Sequence, residues 1–199
     1  MDPWLLSLIG FLVAMYITPG PNNVMVAASA ANHGIAASLP HMAGIVLGFS
    51  LMLTLVCAGL GSLLLGVPNL LPVFRWGGAA WLLWLAWKIA SAPPPGEGAR
   101  RPVLGVMGAA AFQWVNPKAW LIGVGAAAEY MTPHEPLAGQ LLAIFVVCFL
   151  CGPPCLAVWA AIGHGAGRFL TSPVRLRAFN VTMALLLVAS LVPVLAEGW

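Results

Sequence analysis

Two short runs of helix-breaking and polar residues interrupt stretches that are otherwise apolar. Residues 18–23 read Thr-Pro-Gly-Pro-Asn-Asn, and residues 116–118 read Asn-Pro-Lys. Pro117 follows Pro19 by 98 residues (117 minus 19), almost half of the 199-residue chain. Backbone groups freed by Pro and Gly in hydrocarbon cost several kcal/mol each unless protein, water or a ligand satisfies them. We therefore predict that both breaks line a cavity, as discontinuous helices do in secondary transporters.

The first break suits an anionic group. If a helix restarts near Asn22, its free N–H groups and positive dipole end point into the cavity and favour a carboxylate such as that of an amino acid. Uncharged donors and acceptors come from Thr18, Asn22 and Asn23. The alternative is a proline kink whose freed carbonyls are covered by a neighbouring helix.

Lys118 lies about halfway along its apolar segment, where a basic side chain costs about 2.5–3.5 kcal/mol on insertion scales. It can meet a substrate carboxylate, cap carbonyls freed around Pro117, or alternate between protonated and neutral forms. Snorkelling is the structural alternative, but Glu129 lies eleven residues on, about 16 Å along a helix, and cannot pair with it directly. A second titratable candidate for proton coupling is His41, at the start of the second apolar segment.

Composition places these breaks in a membrane. Of all residues 61% are hydrophobic and only 7% are charged, against about 25% charged in soluble domains. We predict an all-α integral membrane protein with six transmembrane helices, of which the first and fourth are discontinuous, arranged as a 3+3 inverted repeat. The predicted spans are about 4–31, 40–65, 69–91, 103–128, 137–162 and 176–196.

The chain reads as one transporter domain, 1–199, with half-repeats at about 1–91 and 103–199 and a cytoplasmic linker at 92–102. Basic residues flank the third-to-fourth and fifth-to-sixth loops: Lys88, Arg100, Arg101, Arg168, Arg175 and Arg177. The opposite side carries Asp2, Glu129, Glu135 and Glu197, with Arg75 as its basic residue. The positive-inside rule then puts both termini in the periplasm. The first segment lacks a basic start and is broken by the proline run, so we expect it to be retained rather than cleaved as a signal peptide.

Other polar residues have simpler interpretations. Thiols at Cys148, Cys151 and Cys155 share one helical face and Cys57 is a fourth, but no His or carboxylate in that span supports metal or redox chemistry. We expect no metal and no cofactor, although the roles of these thiols stay open. Gly44 and Gly48 are typical of close helix packing. We interpret Asn180, inside a span, as an interhelical hydrogen bonder.

The chain resembles the LysE/RhtB-type amino-acid exporters along its whole length. The resemblance rests on Thr-Pro-Gly-Pro-Asn at 18–22, the glycine-spaced stretch 34–48, Gly-Gly-Ala-Ala-Trp-Leu at 77–82 leading to Trp-Lys at 87–88, and Asn-Pro-Lys at 116–118. Segments 21–23, 33–34, 85–90 and 112–116 look like the cysteine/O-acetylserine exporter branch. The resemblance implies a bacterial inner-membrane protein that exports small neutral amino acids, by proton-coupled antiport.

We therefore expect alternating access, with the two breaks facing each other near the midplane and binding the carboxylate and amine of the substrate. The partners are a small amino acid, a coupling proton and the bilayer, with no nucleic acid; a homodimer stays open. The alternatives are a small-solute channel and, further off, a membrane-embedded thiol enzyme. The residues predicted to bind substrate are Thr18, Pro19, Gly20, Pro21, Asn22, Asn23, Asn116, Pro117 and Lys118, with Lys118 and His41 as the coupling candidates.

Overall fold

The structure is a computed structural model that describes residues 2–61, 70–92, 104–169 and 172–192. The described residues form helices with no strand among them, which confirms the predicted all-α class. In chain order the helices are α1 Pro3–Ile17, α2 Pro21–His33, α3 Ile35–Leu55, α4 Leu70–Ala90, α5 Val106–Phe112, α6 Pro117–Tyr130, α7 Leu137–Phe169 and α8 Pro173–Ala189. A π-helical turn, Val56–Leu60, continues α3, and a 3-10 turn, Gln113–Val115, follows α5.

The first predicted span is broken where the sequence places its proline run. Helix α1 begins after Asp2, whose carboxylate accepts a hydrogen bond from the Trp4 amide at 3.0 Å. Helix α2 begins at Pro21, because proline at the first helical position loses no hydrogen bond that the helix needs. The axes of α1 and α2 are bent by 53° at the break.

By length and apolarity, two continuous helices can cross a membrane, Ile35–Leu60 and Leu137–Arg168, and the bent pair of α1 and α2 passes the same test together. The search covered the described residues alone. Helices α4 and α8 fall on the predicted third and sixth spans, and α5 with α6 on the fourth. The predicted linker 92–102 lies outside the described residues apart from residue 92.

The second span starts five residues earlier than predicted, at Ile35 instead of about 40. Gly34 ends α2 with φ of +85°, a backbone conformation that glycine adopts without steric cost, so the chain turns in one residue. His33 is consequently the last residue of α2 and not part of a loop.

Helix α2 lies in the centre of the fold, and residues 23–30 on it are all buried. It packs most extensively on α7 and also contacts α3 and α8. Two glycines of α7 lie against the backbone of α2 and leave no room for a side chain. A Cβ atom at Gly163 would overlap the carbonyl of Ala27, and a Cβ atom at Gly167 would overlap the carbonyl of Ala31. Glycines here allow the two backbones to touch.

A second glycine contact joins α3 to α5. A Cβ at Gly48 would lie 2.5 Å from the Cα atom of Ala110, and one at Gly44 would overlap the carbonyl of Val106. The predicted close helix packing through Gly44 and Gly48 is therefore found within one chain. Asn180 behaves as predicted, exchanging amide hydrogen bonds of 2.8 and 3.1 Å with Asn32 across the α2–α8 contact.

Candidate functional site

The carbonyl groups freed at the end of α1 are taken up by side chains of three other helices. Asn23 of α2 donates to the carbonyls of Tyr16 at 2.7 Å and Thr18 at 2.8 Å. The indole N–H of Trp159, on α7, donates to the carbonyl of Ile17 at 3.1 Å. An interruption in an apolar environment is tolerated only where such partners exist, so α1 can end here because side chains of α2 and α7 donate to its last carbonyls.

Lys118 completes this set from the second break. Its Nζ atom donates to the carbonyl of Thr18 at 2.8 Å and lies 3.4 Å from that of Pro19. The two breaks, about one hundred residues apart in sequence, therefore meet directly through this side chain. One of the three hypotheses for Lys118 was that it caps the carbonyls freed around Pro117. It does cap freed carbonyls, but they are those of the first break.

The side chain of Lys118 passes closely over Gly20. A Cβ atom at Gly20 would lie 2.8 Å from Cδ and 3.0 Å from Nζ of Lys118, closer than such atoms approach in proteins. Glycine between the two prolines therefore leaves the space through which the lysine reaches the α1 carbonyls. Its backbone is extended, with φ of −177°, so glycine is needed for room and not for conformation.

At the second break the helix start is capped by its own sequence. The Oδ1 atom of Asn116 accepts from the amide of Lys118 at 3.2 Å, and Pro117 occupies the first helical position of α6. The start of α2 differs, because its N-cap is Gly20 and no side chain caps it. Of these two helix starts, that of α2 has the less occupied amide groups.

A reciprocal pair of amides links the breaks a second time. Asn22 donates through Nδ2 to Oε1 of Gln113 at 2.9 Å, and Gln113 donates through Nε2 to Oδ1 of Asn22 at 3.1 Å. Gln113 is fully buried and also donates to the carbonyl of Ala109 at 2.9 Å. Gln113 was not among the predicted site residues, although an uncharged amide within an apolar segment could have indicated it.

A small cavity lies between the two breaks. Six of the nine predicted substrate residues line it: Gly20, Pro21, Asn22, Asn23, Asn116 and Lys118. Thr18, Pro19 and Pro117 are not in its lining, although the first two supply the carbonyls that face Lys118. The other walls were not predicted and are Met15, Tyr16, Phe49, Ala119 and Ile122.

The cavity lining is polar at the breaks and includes an aromatic pair, the Tyr16 and Phe49 rings, which meet edge to face with their centroids 5.4 Å apart. Its volume is about 30 Å³. Roughly two water molecules fit in such a space, whereas a six-carbon ring occupies a cavity of about 150 Å³. The space between the breaks is therefore smaller than a ring of that size needs.

His41 lies away from this cavity. It sits in the second turn of α3, fully buried, and within the described part of the chain neither ring nitrogen has a hydrogen-bond partner of good geometry. The backbone of Leu104 is a polar neighbour of its ring. The position of His41 near the start of a span did not predict this burial.

The four cysteines are free thiols in the apolar interior or at its edge. Cys148 contacts the hydroxyl of Tyr16 at 3.3 Å, which ties α7 to the aromatic side of the cavity. Among the described residues, no three His, Cys, Asp or Glu side chains come together as metal ligands would.

Two interrupted helices that meet around a polar cavity in an all-helical, apolar chain define a multi-pass integral membrane protein. The family model of LysE type translocators matches residues 13–195. The chain belongs to the LysE family, whose members are translocators of the bacterial inner membrane and not enzymes. This confirms the resemblance seen in the sequence motifs.

Among its relatives is the cysteine/O-acetylserine efflux protein of Salmonella choleraesuis (strain SC-B67), 35% identical over 190 residues that cover 94% of this chain and 96% of the relative. The protein of the same name from Escherichia coli (strain K12) shows the same identity and coverage. No solved structure matches the chain.

The break depends on Asn23, which gives a test of its energetics. Asn23→Leu keeps the size of the side chain but leaves the carbonyls of Tyr16 and Thr18 without its two hydrogen bonds. The carbonyl of Thr18 keeps its bond from Lys118, so the carbonyl of Tyr16 is the acceptor that loses its side-chain donor. One buried acceptor left unsatisfied costs about 1–3 kcal/mol. We expect the melting temperature in detergent to fall clearly, whereas Thr182→Val, which removes one exposed hydroxyl bond to Ala178, should change it little. If Asn23→Leu and the native protein have the same melting temperature, the stabilising role given to Asn23 is wrong.

Proposed function

We propose that this protein exports small neutral amino acids, of the cysteine and O-acetylserine or homoserine and threonine type, across the bacterial inner membrane by alternating access. The observation that carries the proposal is the direct contact between the breaks, made by Lys118 at the carbonyl of Thr18. Family membership supports translocation, and the names of the relatives quoted above support this substrate class.

The polar groups at the breaks suit both ends of a zwitterion. Carbonyls at the end of α1 attract a cation, and the amides at the start of α2 attract an anion, because the helix dipoles end there with opposite sign. No acidic side chain lines the cavity in the described part of the chain, so binding of the amino group falls to backbone carbonyls. The aromatic wall formed by Tyr16 and Phe49 leaves an apolar place for a short side chain.

Helix contacts support the 3+3 inverted repeat. In such a repeat, spans one, two and three correspond to spans four, five and six. A contact between spans one and five therefore implies an equivalent contact between spans four and two, and a contact between spans three and six is its own equivalent. All three pairs are among the principal contacts: α1 and α2 with α7, α5 and α6 with α3, and α4 with α8. Rocking of one half against the other would expose the breaks alternately to the two sides.

A carrier fits these observations better than a channel. The Lys118 contact joins the two breaks beside a cavity of only about 30 Å³, whereas a channel conducts through a path open to both sides at once. The thiol-enzyme alternative is set aside by the family, whose members are translocators.

For coupling we propose antiport with a proton. Lys118 is the first candidate carrier because its amine lies in the cavity wall, and His41 is the second because it is buried without a hydrogen-bond partner among the described residues. Either residue would change charge inside the membrane, where ionisable groups mark ion pathways.

The efflux experiment uses purified protein in liposomes loaded with labelled cysteine, O-acetylserine, threonine or lysine. We expect saturable efflux of the small neutral amino acids, accelerated when the receiving side is acidic. Lys118→Ala should lower efflux about tenfold or more, the loss expected from removing one charge-assisted contact, and should abolish its response to the pH gradient. His41→Gln tests the second carrier, since loss of that response in this variant alone would move coupling to His41.

Lys88→Ala is the matched control, because Lys88 is an exposed lysine at the end of α4 and does not line the cavity. Its Nζ atom lies 4.3 Å from the centroid of the Trp84 ring. It should transport at the native rate. If correctly folded native protein moves no amino acid, the proposed function is wrong. If Lys118→Ala transports as Lys88→Ala does, the role given to Lys118 is wrong.

Both termini are proposed to face the periplasm. A phosphatase that is active only outside the cytoplasm should be active when fused to the C-terminus, and a fluorescent protein that matures only inside should stay dark. The reverse pattern would invert the proposed topology.

A further inference from the structure

The carbonyl pair at the end of α1 already holds an amine. Nζ of Lys118 is within hydrogen-bond distance of the carbonyl of Thr18, and that of Pro19 lies slightly farther away. The side-chain amine of lysine is a primary amine on a tetrahedral carbon, and so is the α-amine of a free amino acid. The two groups offer the same donors to the same acceptors.

We propose that Lys118 is a tethered competitor of the substrate: in the empty carrier its amine occupies the subsite of the substrate's α-ammonium group, and substrate binding displaces it. This inference rests on the proposed function and names the ammonium subsite within it, the carbonyls of Thr18 and Pro19. It differs from a role in which Lys118 binds the substrate's carboxylate.

Space supports displacement over simultaneous binding. With Lys118 stretched across Gly20, the cavity of about 30 Å³ is too small for an amino acid of seven or more heavy atoms. The same side chain forms one wall of that cavity and bridges to the opposite break. Moving it off the carbonyls enlarges the cavity and frees the acceptors in one step.

The remaining contacts at the break do not need to change. Asn23 and Trp159 hold the carbonyls of Tyr16 and Ile17 from α2 and α7, independently of Lys118. The carbonyl of Thr18 keeps its bond from Asn23 when the lysine leaves. Of the three side chains that donate to the α1 carbonyls, Lys118 is therefore the one that can leave while Asn23 and Trp159 stay in place.

Displacement has a consequence of definite sign. A ligand that must displace an internal competitor binds with an affinity reduced by the fraction of protein in which the subsite is free. Removing the amine of Lys118 should therefore tighten substrate binding, about tenfold if the subsite is free in about a tenth of the molecules. A lysine that binds the substrate's carboxylate would give the opposite sign.

Tight binding is compatible with the expected loss of transport. When Lys118 returns to the carbonyls of Thr18 and Pro19, its amine replaces the departing ammonium group as their donor. Without this replacement the substrate leaves slowly, and export is limited by release.

The test measures equilibrium binding to purified native protein, Lys118→Met, Gly20→Ala and the control Lys88→Met. The probes are L-cysteine kept reduced, cysteamine, which lacks the carboxylate, and 3-mercaptopropionate, which lacks the amine. Methionine keeps an unbranched side chain that reaches the position of the lysine Cε, and it removes the amine donor. Alanine at Gly20 places a Cβ 2.8 Å from Cδ of Lys118 and pushes the amine off the carbonyls without removing it.

We expect Lys118→Met to bind cysteine and cysteamine about tenfold more tightly than native protein does, with no gain for 3-mercaptopropionate. Gly20→Ala should shift in the same direction, and Lys88→Met should match native protein. Should Lys118→Met fail to fold, the shift in Gly20→Ala decides the question by itself.

Weaker or unchanged binding of cysteine in the folded variants overturns the tethered competitor, and so does equal tightening of 3-mercaptopropionate. These results leave the proposed function standing, because native protein still binds and exports the amino acid. If native protein binds no amino acid and exports none, both proposals fall together.

Discussion

The structure depends on one requirement: a backbone interrupted inside an apolar protein must have its freed carbonyls satisfied. At the end of α1 the requirement is met by Asn23, Trp159 and Lys118, each from a different helix. Proline and glycine in residues 18–23 make the break, but only the assembled bundle makes it stable. Local sequence and tertiary packing are therefore inseparable at this site.

The contacts around the site are of two kinds. Glycine-mediated contacts between α2 and α7, and between α3 and α5, bring backbones together and leave little freedom. The contact of Lys118 with the α1 carbonyls is made instead by the end of a long flexible side chain. A carrier needs both: helix groups that move as units and a polar contact that can be exchanged when substrate arrives.

The sequence was sufficient to predict the membrane class and the positions of both breaks, because apolar length and helix-breaking residues act locally. The meeting of the breaks was predicted from their matched positions in the two halves of the chain. It also predicted Asn180 as an interhelical hydrogen bonder. It did not reveal Gln113, the capping role of Trp159 or the burial of His41, because these depend on which helices become neighbours. The start of the second span was misplaced because Gly34 turns the chain within a single residue.

The central claim is that substrate binds between the breaks in place of the Lys118 contact, and a structure determined with bound L-cysteine tests it most directly. The account predicts the amino acid between residues 18–23 and 116–118, its ammonium group at the carbonyls of Thr18 and Pro19, and Nζ of Lys118 beyond hydrogen-bond distance from both. An amino acid bound elsewhere, with Lys118 still on the Thr18 carbonyl, would contradict it.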